Sequence, residues 1–77
     1  MPKAYIMINT DIGSEPNVLA TLKKLEGVEE AHGLFGIYDI IASLTADTID
    51  RLKWLITKRI DKIGKISAKL TLIVSDS

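Results

Sequence analysis

The sequence predicts an α+β fold of order βαββαβ, with four antiparallel strands in one sheet and two helices on one of its faces. Three observations carry this expectation. Two strand–helix–strand patterns of similar length follow one another. Each helical segment closes on a glycine, Gly27 in the first and Gly64 in the second. The final segment, Ile66 to Val74, alternates strictly enough to be a half-buried strand. Right-handed crossovers then place the first and third strands side by side in the centre, a split βαβ or ferredoxin-like layout.

Each element has its own signal. Ala4 to Asn9 is β-prone and almost continuously apolar, as in a strand covered on both faces. Asp11 to Ser14 is a loop with helix-start chemistry, and Pro16 suits a first helical turn, where its missing N–H costs nothing. Val18, Leu19, Leu22 and Leu25 keep helical spacing, with Lys23, Lys24 and Glu26 outside, and Gly27 is the expected C′ residue. Val28 to Phe35 reads as an edge strand whose Glu29-Glu30 pair discourages stray pairing. Tyr38 to Leu44 is a stronger strand. Asp47 is the expected N-cap of the second helix, with Asp50 in the first turn. Its apolar stripe runs through Ile49, Leu52, Ile56, Ile60 and Ile63.

Composition bounds the function. The 77 residues are expected to form one domain, 1–77, without a second domain or linker. A chain this short buries only about 60% of its unfolded surface, so a lone core is marginal. There is no cysteine to staple it, yet 47% of the residues are hydrophobic, more than one small core needs. Self-association is the expected remedy. Ten basic and ten acidic residues cancel, which argues against a free-standing nucleic-acid binder. No apolar run approaches the roughly 20 residues that span a bilayer. Met1-Pro2-Lys3 leads straight into a strand without a signal peptide, so a cytoplasmic location is expected. Absent Cys and Gln, with plentiful Ile, Leu and Lys, lean toward a thermophilic source.

Two helices cover one side of such a sheet, and alternate residues of every strand face the other. In the final strand Ile66, Ala68, Leu70, Leu72 and Val74 are expected to meet the helices, which leaves Lys69, Thr71 and Ile73 outside. In the first and third strands the outward set is Tyr5, Met7 and Ile41, mixed with Asn9 and Ser43. The expected dimer interface is therefore Tyr5, Met7, Ile41, Lys69, Thr71 and Ile73. It is too apolar for free water, and a second copy packed sheet to sheet about a two-fold axis would cover it. Two sheets so joined are expected to make a dimeric α+β barrel.

Known chemistries are mostly missing. There is no Cys-x-x-Cys metal motif, no aromatic row for base stacking and no arginine after the first strand. No catalytic residue, metal or cofactor is expected. His32, the one histidine, reads as an edge-strand residue; as the base of a small enzyme it lacks a partner nucleophile. Arg51, Lys53, Lys58, Arg59, Lys62 and Lys65 read as a solvated helix face. Gly33-Leu34-Phe35-Gly36-Ile37-Tyr38-Asp39 stands apart, with two glycines, two aromatics and a carboxylate in one turn. Glycine permits positive φ and close approach of another molecule to the backbone.

Val28-Glu29-Glu30-Ala31-His32-Gly33, then Gly36-Ile37-Tyr38-Asp39-Ile40-Ile41-Ala42, then a helix closing on Gly64, then the Thr71 strand occur in that order. Together they resemble the RAM domain, the effector-sensing module of the Lrp/AsnC transcription regulators. The resemblance spans essentially the whole chain, and Gly36-x-Tyr38-Asp39 is its most specific part. It implies sheet-to-sheet homodimers, rings of four dimers (octamers), and an amino acid or related effector at dimer–dimer contacts. The ligand-binding positions it implies are Gly36, Tyr38 and Asp39, with Leu34, Phe35 and Ile37 as walls and Thr45, in the Thr45–Asp47 loop, as a second wall. Main-chain N–H groups would meet a carboxylate, and Asp39 an α-amino group. The helix-turn-helix domain and connecting strand of full-length members have no counterpart. The chain thus looks like a stand-alone RAM domain in transcription regulation, without DNA or membrane contact of its own, possible partners being full-length Lrp/AsnC-type regulators. The alternatives are a pure assembly module, an ACT-like amino-acid sensor, with Gly13 after the first strand, and a small dimeric α+β barrel enzyme.

Overall fold

A computed structural model describes residues 1–74. The elements follow in the order β1 (Lys3–Thr10), α1 (Glu15–Lys24), β2 (Val28–Gly33), β3 (Ile40–Thr45), α2 (Ile49–Lys58), a short 3₁₀ turn (Ile60–Lys62) and β4 (Ile66–Ile73). The strands form one antiparallel sheet in the order β2-β3-β1-β4. The ferredoxin-like α+β sandwich is as expected, with β1 and β3 in the middle. The expected barrel is not. β2 and β4 each pair on one side only, so the sheet is open and does not close on itself.

The core lies between sheet and helices. Ala4, Ile6 and Ile8 of β1 and Ile40, Ala42 and Leu44 of β3 are buried there. Val18 and Leu22 from α1, and Leu52, Leu55 and Ile56 from α2, close over them, with Ile60 from the 3₁₀ turn. Alternation along β1 and β3 dictates this: every second side chain points to the helices.

Three local expectations change. α1 stops at Lys24, with Leu25 as C-cap, so Gly27 lies beyond the cap. Gly27 serves the turn into β2 instead. Its φ is +86°, and a Cβ there would meet Leu55 Cδ1 at 2.7 Å and the Thr45 carbonyl at 3.1 Å. The N-cap of α2 is Thr48 and not Asp47: the Thr48 hydroxyl accepts the Arg51 N–H at 3.0 Å. Thr48 has extended backbone angles, which aim its side chain at the first turn. Finally, Ile49 is exposed rather than part of the buried stripe.

The faces of β4 are reversed from expectation. Ala4 pairs with Ile73, Ile6 with Thr71 and Ile8 with Lys69. Directly opposed residues share a face, so Lys69, Thr71 and Ile73 lie on the helix side. Lys69 there forms an ion pair with Asp61 of the 3₁₀ turn. Ala68, Leu70 and Leu72, opposite Asn9, Met7 and Tyr5, occupy the open face. A register shift between Asn9 and Thr10 lets Ile66, opposite Thr10, pack on the core. Shifting register by one residue exchanges the two faces of a strand, and composition alone does not show which side is which.

Candidate functional site

β1 ends and β3 begins at the same end of the sheet, and three connections gather there. They are the 11–14 loop, the 34–39 turn and the segment after α2. The 34–39 turn is held at its base. The Asp39 N–H donates to the Ile8 carbonyl at 2.9 Å, and the Leu34 N–H donates to the Asp39 carbonyl at 2.7 Å. The Asp39 Oδ2 accepts the Thr10 N–H at 2.9 Å. Asp39 thus ties the turn to the central strand through backbone and side chain at once.

Above this base the turn is exposed. Leu34 and Tyr38 are half-buried, whereas Phe35 and Ile37 stand in solvent at 110% and 88% relative exposure. Gly36 at the apex has φ +150°, and a Cβ there would touch nothing within 4 Å. Its glycine requirement is therefore conformational, and it leaves open space over the main chain. Ile12, in the neighbouring loop, is also fully exposed. The sequence signal for it is an isoleucine between Asp11 and Gly13 in an otherwise polar loop. Three bare apolar side chains at one end of a small domain need a cover.

Gly36, Tyr38 and Asp39 with Leu34, Phe35 and Ile37 therefore form one unit. Thr45 is not part of it within a single chain. It ends β3, six residues from the turn, or about 20 Å at strand rise. It lines a separate hollow with Glu26, Gly27 and Arg51.

The open face of the sheet carries a second feature. Tyr5, Met7, Ile41, Leu70 and Leu72 make it apolar, and Tyr5, Leu70 and Leu72 are exposed. Ser43, opposite both Tyr5 and Glu30, sits in its middle and is only 5% exposed. Its Oγ is buried without a hydrogen-bond partner among the described residues. His32 Nε2 lies 3.4 Å from Glu30 Oε1 on the β2 side. Beside Tyr5, the Lys3 ammonium is held above its ordinary pKa of 10.5, first by Tyr5 and then by Glu29.

A model of the family described as "Lrp/AsnC ligand binding domain" matches residues 3–77. The chain belongs to the Lrp/AsnC ligand-binding domain family. Membership gives the domain a regulatory, effector-binding role and not a catalytic one. The ACT-like alternative falls with it. The crystal structure of FFRP-DM1 is 34% identical, with a TM-score of 0.91, and the match covers 96% of this chain and 99% of that one. Hypothetical protein PHS023 from Pyrococcus horikoshii is 32% identical, with a TM-score of 0.93, over 100% of this chain and 93% of that one. AsnC of E. coli is 30% identical with a TM-score of 0.88; 99% of this chain matches 52% of that one. The Lrp/AsnC domain thus spans about half the length of AsnC. No curated protein matches the chain. Among the described residues, no helix is long and apolar enough to cross a membrane.

Proposed function

We propose that this Lrp/AsnC domain binds a free amino acid, or a closely related small effector, at the 34–39 turn, and that the bound effector adjusts how copies of the domain assemble. The observation that carries this reading is the anchored base and bare crown of the turn. Asp39 holds the base rigidly, while Phe35 and Ile37 remain uncovered. A preformed site needs the first, and a site completed by a neighbouring copy needs the second.

The chemistry suits a zwitterion. Main-chain N–H groups around Gly36 can receive a carboxylate, and the Gly36 position is sterically open. Asp39 uses Oδ2 for Thr10, so its role toward an α-amino group falls to the other carboxylate oxygen. Phe35 and Ile37 supply the apolar wall for a side chain.

Assembly follows from the open face. A second copy packed over Tyr5, Met7, Ile41, Leu70 and Leu72 would bury the apolar surface that the helices leave bare, making a face-to-face sandwich. Contacts at the loop end, through Ile12, Phe35 and Ile37, would then join dimers into a larger ring. Co-assembly with full-length regulators of the same family uses the same surfaces. A pure assembly module is the second reading, and the exposed Ile12 favours it over a ligand pocket at that one position.

Isothermal titration against the twenty amino acids separates the readings. Saturable heat from at least one of them, lost in Asp39→Ala, supports the effector site. Silence across the panel, with assembly intact, leaves only the assembly role.

A further inference from the structure

Ten cations balance ten acids over the chain, but the cations are not evenly placed. Lys58, Arg59, Lys62 and Lys65 line one groove of about 630 Å³ between α1 and the segment that follows α2. Among the described residues, no carboxylate lines it. Among the described residues, Lys3, Arg51 and Lys69 each have an acidic partner, whereas Lys58, Arg59, Lys62 and Lys65 have none, as is also true of Lys23, Lys24 and Lys53 outside the groove. Asp61, in the midst of them, is taken by Lys69. Asp11 bonds to the Lys65 carbonyl through its N–H at 2.8 Å, and among the described residues its carboxylate makes no ion pair.

A solvated helix face accounts for this less well than a site. Cations near the end of α2 offset the negative pole of that helix, but the pole amounts to roughly half a charge and not four. Lys58 and Lys62 are four residues apart, a like-charge spacing that disfavours helix continuation. Lys65 adds strain: its φ is +72°, although Gly64 next to it could take that conformation without penalty. The groove is also concave and has an apolar floor. Val18 is buried, and Leu25 and Ile63 are half-buried. The groove is open rather than enclosed, and it leaves room for a small metabolite.

We propose that this groove binds a small organic phosphate, its phosphate groups on Lys58, Lys62 and Lys65 and its uncharged part on Val18, Leu25 and Ile63. Lysine serves as a point charge for phosphate, and Arg59 supplies a planar fork. The Arg59 guanidinium lies 4.8 Å from the centroid of Trp54, the chain's one tryptophan. Arg51 lies 4.2 Å from the same ring but is already bonded to Glu26. An anion in the groove draws Arg59 off the ring and leaves Arg51 in place, so Trp54 emission reports occupancy. The groove is apart from the 34–39 turn, and the inference does not depend on an amino acid binding there.

The test is titration of the full chain at low ionic strength with inorganic pyrophosphate, with ATP and with a short DNA duplex, followed by Trp54 emission. ATP and pyrophosphate are expected to give saturable changes, with Kd below about 1 mM and ATP the tighter. Sodium chloride at matched ionic strength should not reproduce them. The double variant Lys62→Gln, Lys65→Gln is expected to raise both Kd values about tenfold with an unchanged thermal melt, equivalent to about 1.4 kcal/mol. Emission indifferent to both phosphates, a change that sodium chloride matches, or unaltered affinity in the folded double variant overturns the proposal. Binding of the duplex alone also overturns it and makes the groove a nucleic-acid contact.

Discussion

The Asp39 carboxylate and the Thr10 N–H, 29 residues apart in the chain, meet at 2.9 Å and join the 34–39 turn to the end of the central strand. The bond is charge-assisted and partly buried, so its loss strands a donor as well as removing an attraction. Asp39→Ala is expected to lower unfolding free energy by about 1–3 kcal/mol. Asp39→Asn keeps an acceptor and should lose less. Urea denaturation of the two variants checks the order, and equal stability of both with wild type would show the bond to be incidental.

Gly27 and Gly64 give a paired prediction. Gly27→Ala combines φ +86° with a Cβ 2.7 Å from Leu55 Cδ1 and 3.1 Å from a carbonyl oxygen. Overpacking and backbone strain together should cost about 2–4 kcal/mol. Gly64→Ala meets nothing within 4 Å and needs no positive φ. It should stay within about 0.5 kcal/mol of wild type. Thermal melts of both variants measure the contrast; a similar loss in each would contradict the packing described at Gly27.

The cap of α2 can be assigned by substitution. Thr48→Ala removes the acceptor for the Arg51 N–H and is expected to cost about 1 kcal/mol. Asp47→Ala should cost less, since Asp47 is exposed and makes no side-chain hydrogen bond among the described residues. Chemical denaturation in which Asp47→Ala is the more damaging would return the cap to Asp47.

The open face yields a prediction about assembly. Leu70→Glu or Leu72→Glu places a charge on the apolar open face and should dissociate a dimer packed there. Lys69→Gln lies on the other side of the same strand and should leave the dimer intact. Sedimentation equilibrium reads the difference directly. Dimers that survive both glutamate variants would move the interface elsewhere.

Much of this architecture was legible in the sequence, and the failures have physical causes. Element order, sheet topology and the central pair β1–β3 follow from hydrophobic period and crossover handedness. Period alone does not say which face of β4 meets the helices. Its two residue sets, Leu70 with Leu72 and Thr71 with Ile73, are exchanged by a single register step, and the shift beside Asn9 is invisible in composition. Asp47 and Thr48 are both good caps by type, and only backbone angles choose between them. The Gly36–Asp39 turn was legible because glycine, aromatic and acid coincide. Only resemblance links Thr45 to the same site, and strand length separates the two within one chain. Ile12 is hard to read from sequence because its neighbours are polar, and only the fold brings its loop to the same end as Phe35.

The effector is proposed to sit on the 34–39 turn. Hydrogen–deuterium exchange of the peptide spanning residues 33–40, with and without the amino acid that gives heat on titration, tests it most directly. Slower exchange in that peptide is expected when the amino acid is bound. Unchanged exchange there, with protection appearing only in α1 and the segment after α2 or along β4, would contradict it.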